Sequence, residues 1–188
     1  MKGLFWLAYP FVLYGGLHWG SPRIVGVLLL VMLLLRHRGD ARRLLTDMGR
    51  TDRLVLLYLI AHASLSALTN SELLVRLFPC AMNVGFLVLF ARSLCGSQSM
   101  IERFARLKEP DLSAEGVIYT RQVTKVWCVF LAANACVALW SALYASREVW
   151  AFYNGFLAYV LMGILFAGEW LYRMNQQRKW ALSRHNEK

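Results

Sequence analysis

Long apolar runs separated by short polar connections are the dominant pattern along this chain. Six such runs can be drawn, at about residues 4–17, 22–35, 54–69, 74–92, 126–145 and 150–172. An α-helix needs about 20 residues to cross the roughly 30 Å hydrocarbon core of a bilayer. The pattern therefore predicts an all-α, polytopic membrane protein with about six transmembrane helices, built as a single membrane domain over residues 1–188.

The first two runs are shorter than a full span, and the segment between them decides how they are arranged. The sequence HWGSPR at 18–23 contains Gly20 and Pro22, which favour a turn. One interpretation is a hairpin of two short helices. The other is a single tilted or kinked span over residues 4–35, which would place the N-terminus on the opposite side of the membrane.

Composition and charge support a membrane protein and predict its orientation. Hydrophobic residues make up 58% of the chain and charged residues 17%, and 21 Lys and Arg against 11 Asp and Glu give a net charge of +10. With both termini on one side, 18 basic residues fall on that side and 3 on the other, namely Arg23, Arg76 and Arg147. The positive-inside rule then predicts cytoplasmic termini. No zinc-finger or RNP-type signature accompanies the charge, so we expect no nucleic-acid partner.

Two predicted cytoplasmic loops are large enough to bind a partner. The loop at 36–53 offers six candidate docking residues, which are Arg36, Arg38, Arg42, Arg43, Arg50 and Arg53. In the loop at 93–125, one helical face would carry the apolar residues Met100, Ile101, Phe104 and Leu107, and the other face Glu102, Arg103 and Arg106. This spacing predicts an interfacial amphipathic helix of about three turns that stops before Pro110.

Motifs for catalysis, cofactors and metals are absent from the sequence. It contains no Walker A loop, no GxGxxG, no HxxxxD, no paired aspartate motif and no HExxH. Cys80, Cys95, Cys128 and Cys136 form no CxxC pair and have no His at metal-ligand spacing, so they are interpreted as small apolar core residues. We therefore predict no cofactor, no metal site and no catalytic residue.

Polar residues inside the predicted spans are the remaining candidates, because each is costly in hydrocarbon unless it finds a partner. His62, beside small residues, is interpreted as an interhelical hydrogen bond or a proton relay. Arg76 would reach the outer headgroups or pair with Glu72 four residues earlier. Asn83 and Asn134 are predicted to join helices, and Asn154 is a further candidate.

Glu169 is the one carboxylate set inside the last apolar run. Arg173 follows it at the i,i+4 spacing of a helical ion pair. Gly163 and Ala167 form a small-xxx-small pair that would admit a neighbouring helix. If that neighbour is the fifth span, we expect Arg121 or Lys125 to be a second partner of Glu169.

Tyr119, with Arg121, Lys125 and Trp127, has the character of an interfacial belt at the start of the fifth span. Nearby, Glu109, Asp111 and Glu115 form one acidic patch on a basic face. This patch would pair with the basic loop at 36–53 or present a docking surface of its own.

Four short motifs carry a resemblance to a known family: EPDL at 109–112, YTRQVTKVW at 119–127, YNG at 153–155 and AGEWLYR at 167–173. Together they resemble small, uncharacterised integral membrane proteins of Gram-negative bacteria that are encoded in aryl polyene and xanthomonadin-like pigment clusters. The resemblance covers roughly the C-terminal half of the chain. It implies a place in the bacterial inner membrane beside acyl carrier proteins and fatty-acid-synthase-like enzymes, and it supplies no residue with a catalytic role.

Three functional hypotheses follow. The leading one is a non-catalytic accessory whose basic cytoplasmic face recruits acyl carrier protein or soluble enzymes to the bilayer. The second is a transport or flippase component with a cavity lined by His62, Asn83, Asn134 and Asn154. The third is a membrane enzyme that acts on a lipid-linked acyl chain, with Glu169 or His62 as acid or base. Membrane lipids are partners in all three, and homo-oligomerisation is left open.

Overall fold

The computed structural model describes residues 49–107 and 109–186. All regular structure in this part of the chain is helical, which confirms the predicted all-helical class. The elements are α1 (Arg50–Thr69), α2 (Glu72–Leu94), α3 (Met100–Arg106), α4 (Ala114–Tyr144), α5 (Arg147–Phe152), a π-helical turn (Tyr153–Leu157) and α6 (Ala158–Asn186).

Four helical segments of the described part are long and apolar enough to cross a membrane. They are α1, α2, α4 and the stretch Arg147–Met174, which comprises α5, the π turn and the first part of α6 and is called the C-terminal span below. Each overlaps one of the last four predicted runs. The predicted spans at 4–17 and 22–35, and the choice between a hairpin and a single span, lie outside the described residues.

The start of α4 differs from the predicted span at 126–145. The helix begins at Ala114, where the Ser113 side chain accepts a hydrogen bond from Gly116 N as an N-cap. Its 31 residues extend about 46 Å at 1.5 Å per residue, which exceeds the roughly 30 Å hydrocarbon core. The first turns of α4, including Tyr119 and Arg121, are thus a helical extension of a span. The expectation of a loop as far as residue 125 is wrong, because the polar residues there continue the helix without an apolar signal.

Helices α1 and α2 form an antiparallel hairpin. Asn70 adopts a left-handed conformation with φ 51°, and Ser71 caps α2 by accepting a hydrogen bond from Leu74 N. Gly85 on α2 lies so close to α1 that a Cβ placed on it would be 3.0 Å from Val55 Cγ1. The small residue therefore sets the distance between the two helices.

Helix α4 packs against both α2 and the C-terminal span. The Phe90 ring of α2 lies 6.3 Å from the Trp127 ring of α4, and the Trp127 ring lies 4.6 Å from that of Phe166 on α6. A buried cluster at the opposite end of the helices joins all four spans, through Ala63, Val75, Phe78, Ala142 and Trp150. These contacts fix an antiparallel order in which α1, α2, α4 and the C-terminal span pack successively.

The short helix α3 differs in detail from the predicted amphipathic helix. It ends at Arg106, so it has two turns rather than three, and Phe104 and Leu107 are exposed as an apolar face would be. Glu102, however, is only 3% exposed. Its side chain accepts hydrogen bonds from Ser99 N at the start of the helix and from Arg106 Nε. The assignment of Glu102 to the polar outer face is wrong, because the carboxylate caps its own helix.

Candidate functional site

Arg76 joins the end of α4 to the start of the C-terminal span. Its Nη2 donates hydrogen bonds to the backbone oxygens of Ser141 and Ala145. Ser141 O also accepts the last intrahelical bond of α4, from Ala145 N, whereas Ala145 O lies beyond that bond. Trp150 Nε1 donates to Arg76 O at 2.9 Å. The predicted pairing of Arg76 with Glu72 is wrong, because Glu72 accepts two hydrogen bonds from Arg147 instead. Arg76 is therefore a helix-end clamp in this structure.

Asparagine side chains link α2, α4 and the C-terminal span. Asn134 Nδ2 donates to Asn83 Oδ1 at 2.9 Å, and Tyr153 Oη donates to Asn134 Oδ1 at 2.6 Å. The residue after Tyr153, Asn154, donates from Nδ2 to Ser141 Oγ at 3.0 Å and to Trp150 O at 2.9 Å. These amides are bonded to protein groups, as interhelical contacts are.

The π turn at Tyr153–Leu157 places two members of this network. It widens the helix locally, so that Tyr153 and Asn154 both reach α4. The YNG motif of the sequence thus coincides with the irregular turn of the C-terminal span.

His62 lies between α1 and α2. Its Nε2 is 2.9 Å from Leu74 O, and its ring is flanked by Tyr58 at 6.4 Å and Phe78 at 5.9 Å between centroids. A ring N–H donated to that backbone oxygen accounts for the position of the side chain, which joins the two helices of the hairpin.

Glu169 lies where α6 meets the first turns of α4. Tyr119 Oη donates a hydrogen bond to Glu169 Oε1 at 3.1 Å, and Arg173 Nε lies 3.5 Å from the same oxygen. Tyr119 also stacks on Tyr172 with centroids 5.9 Å apart and an interplanar angle of 14°. The ion pair between Glu169 and Arg173 that the sequence spacing predicts is present, and Tyr119 is a second partner of Glu169 that was not expected.

The two cations proposed as second partners of Glu169 lie elsewhere. Arg121 Nη2 donates to Leu94 O and so caps the end of α2. Lys125 is exposed on α4. The neighbour of Glu169 is indeed the fifth predicted span, but the partner that this span supplies is Tyr119. A Cβ placed on Gly163 would have no described atom within 4 Å, so the expected helix contact at Gly163 and Ala167 is not formed by the described residues.

A groove of about 570 Å³ is lined by the beginning of α4 and the end of the C-terminal span. Its apolar lining includes Val123, Val126, Trp127 and Leu165, and its polar end includes Glu115, Tyr119, Gln122 and Glu169. Gly168 forms part of the wall without a side chain. The groove places the one carboxylate of the last apolar run beside a surface suited to an acyl chain.

Other predicted site residues contribute little geometry. Arg50 and Arg53 are exposed at the start of α1, whereas Arg36, Arg38, Arg42 and Arg43 lie outside the described residues. Among residues 49–107 and 109–186 there is no group of three His, Cys, Asp or Glu side chains that would hold a metal ion. Cys80, Cys95, Cys128 and Cys136 are free thiols, and Cys95 and Cys136 are exposed rather than in a core.

Sequence reasoning missed the groove and the roles of Gln122, Leu165 and Phe166. A signal for part of it existed, because Tyr119, Trp127 and Glu169 were each identified as polar or aromatic residues near one membrane edge. What the sequence lacked was the pairing of α4 with α6. Comparisons with family models, with curated proteins and with solved structures found no match.

Proposed function

We propose that this protein is a non-catalytic accessory of the bacterial inner membrane in an aryl polyene-type lipid or polyketide biosynthesis. In this role it recruits acyl carrier protein or soluble enzymes to the bilayer. The observation that carries the proposal is an exposed basic face at one end of the described helices. Its six exposed cations are Arg50 and Arg53 on α1, Arg92 on α2, Arg103 on α3, and Arg121 and Lys125 on α4, and they outnumber the exposed carboxylates of Glu109, Asp111 and Glu115 at the same end.

The opposite end of the bundle offers no comparable charge among the described residues. Arg147 there is paired with Glu72, and Arg76 is committed to backbone oxygens of α4. The asymmetry fits the positive-inside rule, with the basic face and both termini in the cytoplasm. A soluble acidic partner would approach this face along a favourable electrostatic gradient.

We further propose that α3 lies in the headgroup layer beside this face. Phe104 is 56% and Leu107 81% exposed, and both are large apolar side chains at the predicted membrane edge. Arg103 is exposed on the same short helix. Because Met100 N donates to Ser93 Oγ and Ile101 N to Thr124 Oγ1, α3 is held to both α2 and α4. It would therefore present its cation at a fixed depth.

The two alternative functions have different support. A flippase with a cavity lined by His62, Asn83, Asn134 and Asn154 is not favoured, because all four side chains are bonded to protein groups. An enzyme that uses Glu169 as acid or base has the adjoining groove in its favour. Glu169→Gln with unchanged product formation in cells would remove that candidate.

The recruitment proposal is tested by binding of an acidic acyl carrier protein to the full chain in nanodiscs. We expect affinity to fall between ionic strengths of about 0.1 M and 1 M, over which the screening length drops from about 10 Å to about 3 Å. Joint replacement of Arg53, Arg103 and Lys125 by Glu should weaken binding at least about tenfold. The matched control keeps the charges, as Arg53→Lys, Arg103→Lys and Lys125→Arg. Binding that is indifferent to salt and to charge reversal would refute recruitment by this face.

A further inference from the structure

The recruitment proposal makes no use of the groove between α4 and α6. At about 570 Å³, the groove lies within the roughly 300–1,000 Å³ of ligand-binding pockets. Along α4 it reaches from Glu115 to Trp127, which is about 18 Å at 1.5 Å per residue. The groove therefore joins the polar first turns of α4, which extend beyond the hydrocarbon core, to the apolar residues at the start of the span, so it crosses the membrane edge.

The two ends of the groove differ in chemistry. The inner end is formed by Val123, Val126, Trp127 and Leu165, whose side chains offer apolar contact only, apart from the Trp127 ring nitrogen. The other end lies at the first turns of α4, at the proposed cytoplasmic edge of the membrane, and is called the outer end of the groove. It carries the carboxylates of Glu115 and Glu169 together with the hydroxyl of Tyr119. An occupant must therefore be amphiphilic, with its polar group at the end where α4 begins.

The charge at the outer end departs from the basic character of the surrounding face. Tyr119 and Arg173 both contact Glu169 Oε1. Glu169 Oε2 makes no hydrogen bond within the described part of the chain, and the side chain is 19% exposed. Carboxylates beside stacked tyrosine rings suit an ammonium group. The guanidinium of Arg173, 45% exposed, suits a phosphate.

We propose that the groove binds one phospholipid whose headgroup carries a primary ammonium. Its acyl chain lies against Val123 and Trp127, its ammonium faces Glu169, and its phosphate faces Arg173. An anionic lipid without an ammonium would keep the phosphate contact with Arg173 but would place no cation beside the carboxylate of Glu169. This lipid site is independent of the recruitment proposal.

Native mass spectrometry of the full chain tests the proposal. The protein is released from detergent after equilibration with an equimolar mixture of phosphatidylethanolamine and phosphatidylglycerol. We expect one phosphatidylethanolamine to remain bound at collision energies that remove all other lipids, with at least about a tenfold preference over phosphatidylglycerol.

Two pairs of variants separate this groove from the general lipid surface. Gly168→Leu fills the wall of the groove, whereas Gly163→Leu makes the same change on the same helix outside the lining. At neither glycine would an added Cβ meet a described atom within 4 Å. Val126→Trp and Val129→Trp form the second pair on α4, with only Val126 in the lining. We expect the first member of each pair to lose the retained lipid at least about tenfold and the second to keep it.

The headgroup is tested by Glu169→Gln, with Glu148→Gln as a carboxylate control at the other end of the same span. Glu169→Gln should reduce the preference for phosphatidylethanolamine to about one, while a lipid still binds. Glu148→Gln should leave the preference unchanged. Thermal unfolding of each variant confirms that it is folded.

Three outcomes overturn the proposal. The first is equal retention of the two lipids by the wild-type chain. The second is a preference that survives both Gly168→Leu and Val126→Trp, which would place the lipid elsewhere. The third is cross-linking of the Val126→Cys variant, through the introduced thiol, to a second copy of this chain or to its N-terminal segment, which would identify a polypeptide occupant.

Discussion

Trp150 donates its indole N–H to the backbone oxygen of Arg76 at 2.9 Å, while the Arg76 guanidinium binds the last carbonyls of α4. The two residues thus hold three helix ends together, and Trp150 is only 1% exposed. The contact lies far from the groove, at the other end of the bundle. Trp150 also belongs to the buried cluster that joins the four described spans.

The Trp150 contact predicts a large loss of stability on substitution. Trp150→Phe removes a buried hydrogen bond and should cost about 1–3 kcal/mol, and Trp150→Ala should cost about 3–5 kcal/mol through the added cavity. Trp170→Phe, at an exposed position of the same span, is the control. The measurement is thermal unfolding of the purified protein in detergent, and equal shifts at the two tryptophans would contradict the prediction.

The two arginines at this end should behave differently. Arg76→Gln removes the donor to Ala145 O at the end of α4, whereas Arg147→Gln removes an exposed ion pair with Glu72. Because exposed ion pairs contribute little, we expect a clearly larger fall in melting temperature for Arg76→Gln. A larger effect of Arg147→Gln would mean that the ion pair, and not the backbone contact, holds the helix ends.

Asn83 and Asn134 should be energetically coupled. Their side chains share a hydrogen bond of 2.9 Å between α2 and α4, and such bonds in membrane proteins contribute about 0.6–1.7 kcal/mol. A double-mutant cycle with Asn83→Ala and Asn134→Ala should give a coupling energy in that range. Purely additive effects would show that the two amides do not stabilise each other.

Gly85 should tolerate only small replacements. A Cβ there would lie 3.0 Å from Val55 Cγ1, so Gly85→Ala requires a small shift and Gly85→Leu separates α1 from α2. We expect a pronounced loss of melting temperature for Gly85→Leu and little change for Gly163→Leu. If both leucine variants unfold alike, close packing of the α1–α2 hairpin is not what Gly85 provides.

Topology can be tested at three positions of the described chain. Topology reporters fused after residues 71 and 148 should report a location outside the cytoplasm, and a reporter fused after residue 110 should report a location inside it. The physical reason is the concentration of cations at the end that contains residue 110. A fusion at 110 that reports an external location would reverse the proposed orientation and remove the basis for recruitment of cytoplasmic partners.

Helical class and the approximate position of four spans were predictable, because an apolar run of sufficient length has few alternatives in a membrane protein. The ion pair between Glu169 and Arg173 followed from spacing along one helix. The start of α4 at Ala114 was not predictable from hydropathy, since its first turns are polar and depend on a cap.

Tertiary partners account for the other differences. Glu102 is buried because it caps α3. Arg76 contacts α4 and not Glu72, because Ala145 O lies beyond the last intrahelical bond of α4 and accepts from the guanidinium. Tyr119 on α4 contacts Glu169 on α6, and the two residues are 50 positions apart in sequence. Spacing within one segment carries no information on such contacts, so the groove emerges only from the packed helices.

The π turn at Tyr153–Leu157 affects the rotation of the last span about its own axis but not its insertion into a bilayer. Each residue of an α-helix contributes about 100° of rotation, so deletion of Gly155 would leave an equally apolar segment whose later side chains face a different direction. The protein that lacks Gly155 should insert into the membrane normally, but its Glu169 should no longer reach Tyr119. The π turn therefore determines which direction the later side chains of the span face, and the loss of one residue would change that direction without changing the hydrophobicity of the span.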